Sequence, residues 1–202
     1  MSRLTLFVMF VLIPIMILFP QEETLFHGDI DHGGYGGPTI KYTQIGPDQS
    51  HAILMGGQGG WIIDHTFIIG GGGYGLVNNV EADWLDMRTF VQSEPLYLYM
   101  GYGGLLLGFT RWSDDLIHYT IHTMIGGGGI DYRLADEFEE DSTSDGIFVI
   151  EPGACVEFNI SSFFRIAVGA TYRYVQGVDL TMLDNSDLSA FTGHLEFKFG
   201  SF

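Results

Sequence analysis

Between residues 163 and 175 the chain changes character at every step. Phe164, Ile166, Val168, Ala170, Tyr172 and Tyr174 are interleaved with Arg165, Ala167, Gly169, Thr171 and Arg173. Successive side chains of a β-strand point to opposite faces. The stretch therefore predicts a strand with one apolar face, aromatic towards its ends, and one face of small and polar residues. The same period of two sets Phe148, Ile150, Ala154, Val156 and Phe158 against Glu151, Gly153, Cys155 and Glu157. It also sets Ile117, Tyr119, Ile121 and Ile125 against His118, Thr120 and His122. A water-soluble β-sandwich shows the same alternation, but its solvent face carries many Lys and Glu. Here the polar face is too sparsely charged to face water.

Turn residues bound eight such stretches, at 35–43, 51–63, 66–77, 95–112, 116–132, 146–160, 163–175 and 188–199. The connections at 64–65, 113–115 and 161–162 are short, those at 78–94, 133–145 and 176–187 are long, and 44–50 is intermediate. Short turns at one end and long loops at the other describe an up-and-down barrel in a membrane. An even strand number puts both ends of the barrel on the short-turn side. The predicted fold is all-β: an eight-stranded antiparallel up-and-down transmembrane barrel over 35–202, preceded by a signal peptide at 1–21 and a polar leader at 22–34. Arg3 and the apolar run 4–19 supply the signal, with cleavage expected between Pro20 and Glu23. An uncleaved membrane anchor is the other reading of that run.

Charge supports the same architecture. The chain has 25 Asp and Glu against 8 Lys and Arg, a net charge of -17, which argues against nucleic acid as a partner. The single cysteine, Cys155, excludes an intramolecular disulfide. Outside the leader, loops and turns only Glu151, Glu157 and Glu196 remain among the acids, and each falls on the polar face of its strand. Lys41, Arg165, Arg173 and Lys198 fall there too. A charge facing lipid at mid-membrane costs about 2–4 kcal/mol, so these seven residues are expected inside the barrel as a paired network. Gln58, His118, His122 and His194 are expected beside them.

With its export signal, dyad-patterned strands, alternating loop lengths and terminal strand ending at Phe202, the chain resembles the small eight-stranded outer-membrane barrels of the OmpX type and the membrane part of OmpA. The resemblance implies residence in a Gram-negative type of outer membrane, lipid and the barrel-assembly machinery as partners, and a monomer. It also implies an assembly signal at Phe197, Phe199 and Phe202. Phe202 is out of phase with the other two, so either a bulge at Gly200 restores the phase or Phe199 is the functional end.

The 29 glycines concentrate in the first five strands. Counting back from the turns places Gly59 near Gly70, Gly56 near Gly73, Gly36 near Gln58 and Gly72 near Gly101, which makes a contiguous band. Tight coiling of the barrel is the simpler account. A side-chain-free wall that lets a lipid chain, a second barrel or a lumen ligand approach is the alternative.

No constellation compels catalysis. His27, Asp29, Asp31 and His32 have metal-ligand chemistry but sit in the leader. The acidic run Asp136, Glu137, Glu139, Glu140 and Asp141 lacks the spacing of a calcium loop. It is a weak candidate for divalent cations and otherwise a solvated loop. Cys155 is expected to pack inward. No cofactor and no enzymatic activity are expected. The leading functional expectation is a structural or surface-interacting barrel with a polar, plugged lumen and acidic outer loops. A narrow porin-like pore or small-ligand and lipid carrier is one alternative. An outer-membrane lipid-modifying enzyme and a soluble secreted ligand-binding barrel are the others.

Overall fold

The computed structural model describes residues 31–82, 96–134 and 145–202. The signal, most of the leader and the acidic run at 136–141 lie outside these residues. Eight strands close into one antiparallel barrel in sequence order: β1 (His32–Ile45), β2 (Ser50–Ile63), β3 (Phe67–Leu76), β4 (Leu96–Arg111), β5 (Ile117–Leu134), β6 (Asp145–Ser161), β7 (Phe164–Gln176) and β8 (Ala190–Ser201). One short helix, α1 (Asn185–Leu188), lies between β7 and β8. The shortest strand has 10 residues, enough to cross a bilayer when tilted.

The alternation read from the sequence becomes an inside and an outside. In β7, Arg165, Ala167, Thr171 and Arg173 are buried while Val168, Tyr172 and Tyr174 are exposed. In β6, Glu151, Cys155 and Glu157 are buried while Phe148, Val156 and Phe158 are exposed. The exposed face is therefore the apolar one, continued round the barrel by Ile40, Ile53, Ile69, Leu105 and Ile121. So large an exposed apolar surface fits hydrocarbon and not water. Aromatic residues gather at its two rims. Near the short turns, Phe67 meets Phe109, Trp112 meets Tyr119, and Phe164 stacks on Phe199 with ring centroids 4.9 Å apart. Near the loops, Tyr172 meets Phe191.

The hairpin registers differ from the turn count. The structure pairs Gly59 with Gly71, Gly56 with Tyr74, Gly37 with Gln58, and Gly72 with Gly104. The β2–β3 turn spans 64–66 because Asp64 and His65 both adopt a left-handed conformation, φ 53° and 50°, which adds one residue to the connection. The glycines still adjoin one another: Gly72 faces Gly104, which faces Gly126. On the inner face their absence of a side chain is a steric requirement. A Cβ on Gly70 would overlap the Gly59 carbonyl oxygen, and one on Gly126 the Gly103 carbonyl oxygen. On the outer face Gly75 and Gly101 have ordinary space for a Cβ.

No bulge occurs at Gly200. Its pairing with Tyr35 keeps the register of Phe199 with Gly36 and of Glu196 with Thr39. Phe202 therefore stays in phase with Lys198 and turns inward, where it packs on Tyr35, while Phe197 and Phe199 lie on the outer face. Two further acids lie on strands: Asp131, within the range predicted for the fifth strand though not counted among the strand acids, and Asp145, expected in the loop. Asp131 falls on the outer-face phase near the loop end but is itself buried, its carboxylate 3.1 Å from Nε of the exposed Arg133. At 18 residues β5 outruns the hydrocarbon, which is why its last residues tolerate charge.

Candidate functional site

The barrel interior gathers the chemically capable residues, and it is layered. A charged layer fills the middle. Lys41 of β1 reaches Glu151 of β6, its Nζ 2.8 Å and 2.9 Å from the two carboxylate oxygens. The same carboxylate accepts hydrogen bonds from the Tyr102 hydroxyl and from Thr171 Oγ1. The Lys41 ammonium also sits 3.5 Å from the centre of the Tyr74 ring, a favourable cation–π placement. Lys198 lies between two carboxylates, 2.6 Å from Glu157 and 3.7 Å from Glu196. Gln58 donates to Glu196 and accepts from the Tyr74 hydroxyl. Glu157 faces His118 Nε2 at 3.3 Å and accepts from the Cys155 thiol.

These pairs close across the barrel because glycines open space on the facing wall. The long charged side chains come mainly from β1, β6, β7 and β8. The facing wall carries Gly56, Gly70, Gly72, Gly104 and Gly126 at its inward positions. Burying seven charges is tolerable only where geometry and hydrogen bonding are close to complete. The glycines make the room for that.

Two sets of residues stand apart from the pairs. Arg165, near the short turns, donates to the Ser113 hydroxyl and carbonyl, and its guanidinium carbon lies 3.9 Å from the centre of the Phe202 ring. Beside it is a cavity of about 10 Å³ lined by Tyr35, Thr110, Glu157 and Lys198 among others, room for about one water. His122 and His194 meet each other across the lumen with ring centroids 5.5 Å apart. Among the described residues no group of three His, Cys, Asp or Glu is placed to hold a metal ion. Asp31 and His32, from the leader motif, are separated in role: Asp31 lies 3.1 Å from His65 at the barrel rim. That hydrogen bond, with the backbone amide of His32, holds the Asp31 carboxyl below its ordinary value.

The interior is not polar throughout, as the strand alternation implied. Its loop-end half is an apolar core of Ile45, Leu54, Met100, Ile130, Val149 and Val175, into which Leu183 and Leu188 are inserted from the β7–β8 connection. The signal for this was present. In Ile147-Phe148-Val149-Ile150 the alternation is lost, and a strand apolar on both faces packs an apolar interior against an apolar exterior. Tyr74 and Tyr102, readable in the sequence only as large neighbours covering bare glycine backbone, bind the charged layer together. Their inward phase is visible only once register is known.

Solved structures share the barrel fold. The N-terminal β-barrel domain of Pseudomonas aeruginosa OprF is 9% identical over 84% of this chain and 96% of its own, with a TM-score of 0.51. Neisserial surface protein A, NspA, is 8% identical over 86% of this chain and 99% of its own, also at 0.51. Ail, the attachment invasion locus protein of Yersinia pestis, solved with the heparin analogue sucrose octasulfate, is 12% identical over 86% and 99%, at 0.50. No family model matches the sequence, and no curated protein matches it. At these identities the likeness is one of fold. The closed barrel and its apolar girdle are those of the small eight-stranded outer-membrane proteins.

Proposed function

We propose that this is an outer-membrane barrel whose lumen is plugged by its own side chains and whose task is structural or surface-interactive, carried by the acidic loops. The observation that supports it is the layering of the interior: ionic pairs across the middle, an apolar core at the loop end, and Arg165 with Phe202 at the turn end. An eight-stranded barrel has an interior that side chains just fill. Ail was solved in complex with the heparin analogue sucrose octasulfate. This chain, at a net charge of -17, has the opposite electrostatic preference, and its loops suit divalent cations or basic partners.

The protein is proposed to be a monomer without enzymatic activity. Among the described residues no histidine hydrogen-bonds to a serine hydroxyl, the pairing that an acyl-transfer site requires. Planar-bilayer recording tests the plugged lumen. Repeated insertion of the purified barrel is expected to leave the bilayer silent at neutral pH. Stable, reproducible conductance steps would replace this reading with that of a narrow pore.

A further inference from the structure

Setting aside Asp131, which is buried on the outer face beside Arg133, the described interior holds four bases and three carboxylates, so one cation is unmatched. Lys41 has Glu151, and Lys198 has Glu157 and Glu196. Both terminal nitrogens of Arg165 are taken up by Ser113. Arg173 is different. It is fully buried, its Nε donates to the Leu188 carbonyl at 2.9 Å, and among the described residues neither Nη1 nor Nη2 makes a hydrogen bond of good geometry, with the Tyr102 side chain beside them. Lys41 and Arg173 flank one tyrosine, with Nζ 5.6 Å and Cζ 5.9 Å from the centre of the Tyr102 ring. Glu151, to which Tyr102 donates, is ion-paired with Lys41, and no ion pair to Arg173 occurs among the described residues.

A buried guanidinium with two free terminal nitrogens is a fork shaped for a carboxylate, which it binds through two parallel hydrogen bonds. What lies above it narrows the class. From Arg173 towards the loops the interior is apolar: Val175 on the same strand face, then Val149, Leu54 and Ile45, closed by Leu183 and Leu188. A small hydrated anion gains nothing from that lining. A carboxylate at the end of a hydrocarbon chain matches both parts.

We propose that Arg173 receives the carboxylate of an acyl amphiphile whose chain enters from the loop end and takes the positions of Leu183 and Leu188. The connection at 177–189 is then a displaceable stopper. Its hydrogen-bond ties include the Gly46–Asp187 backbone bond, the Val175–Ser189, Tyr132–Thr181 and Asp179–Asp145 bonds, and the Arg173–Leu188 bond itself. The residue that receives the carboxylate also holds the stopper shut. This goes beyond the plugged-lumen reading and leaves it standing if it fails, since bilayer recording decides that reading separately.

The test uses the full barrel in phosphatidylcholine nanodiscs, titrated with carboxyl-labelled [13C]decanoate and compared with empty nanodiscs by NMR. A saturable bound carboxyl resonance is expected. Decanol and acetate should each compete at least about tenfold less well, as loss of a charged hydrogen-bond pair or of the chain implies. Arg173→Gln should weaken decanoate by about tenfold or more, and Leu183→Ala/Leu188→Ala should strengthen it. Absence of saturable binding, unchanged binding by Arg173→Gln, or acetate competing as well as decanoate would overturn the proposal. Should Arg173→Gln not fold, the comparison of decanoate, decanol and acetate on the unaltered protein decides alone.

Discussion

Replacing Lys41 with Met keeps the length and apolar stem of the side chain and removes its charge. Glu151, only 1% exposed, then loses the two bonds of 2.8 Å and 2.9 Å and keeps those from Tyr102 and Thr171. Stranding one member of a buried pair costs about 3–5 kcal/mol. The two surviving donors put the expected loss near the lower end, about 3 kcal/mol. Glu151→Gln in the same chain removes the stranded charge, so the double variant should recover about 1–3 kcal/mol relative to the sum of the single losses. Reversible urea unfolding in lipid vesicles, followed by tryptophan fluorescence and by heat-modifiable migration, measures all four corners of the cycle. A Lys41→Met loss below about 1 kcal/mol, the scale of a solvent-exposed pair, would refute the claim that this pair is desolvated. So would a cycle without coupling.

Other consequences follow from the same geometry. Ala at Gly70 or Gly126 forces neighbouring strands apart and should cost about 1–3 kcal/mol, whereas Gly75→Ala and Gly101→Ala, with space on the outer face, should leave the unfolding midpoint nearly unchanged. Val168→Arg on the exposed face of β7 should cost about 2–4 kcal/mol if that residue lies near the bilayer midplane, read by the same unfolding assay. Asp31 should titrate below the ordinary carboxylate value of about 3.9 and move back up in His65→Ala, as followed by carboxyl NMR. A depressed carboxyl stabilises above its unfolded value and loses that contribution as pH falls through its folded one, so any loss in Asp31→Asn should be present at neutral pH and vanish in acid, where Asp31 is protonated in both states.

The strand number, the inside and outside of each strand and the confinement of Glu151, Glu157, Glu196, Lys41, Arg165, Arg173 and Lys198 to the inner face were legible because each depends on local period alone. What was illegible depends on pairing. The Gly59–Gly71 register shifted by one because two left-handed residues lengthened a turn, and nothing in Asp64-His65-Thr66 declares that φ. The partners of Lys41 and Lys198 come from strands more than 100 and 41 residues away respectively, so only closure of the barrel names them. Phe202 followed the strand phase faithfully. Of the two expectations for that strand end, the bulge at Gly200 is absent, which leaves Phe199 as the last outward aromatic of β8. The apolar loop-end core was within reach through the lost alternation at 147–150 and the stray leucines at 183 and 188.

The account rests on the apolar face of the strands meeting lipid and the charged face meeting itself. Nitroxide labels attached through cysteines placed singly at Leu105, Ile121 and Val168, in a Cys155→Ala background reconstituted in bilayers, test this directly. The account predicts frequent collision with dissolved oxygen and protection from a water-soluble nickel chelate at all three positions. Ready collision with the chelate would place that face in water, and protection from both reagents would bury it within protein; either result contradicts a transmembrane barrel with its charges inside.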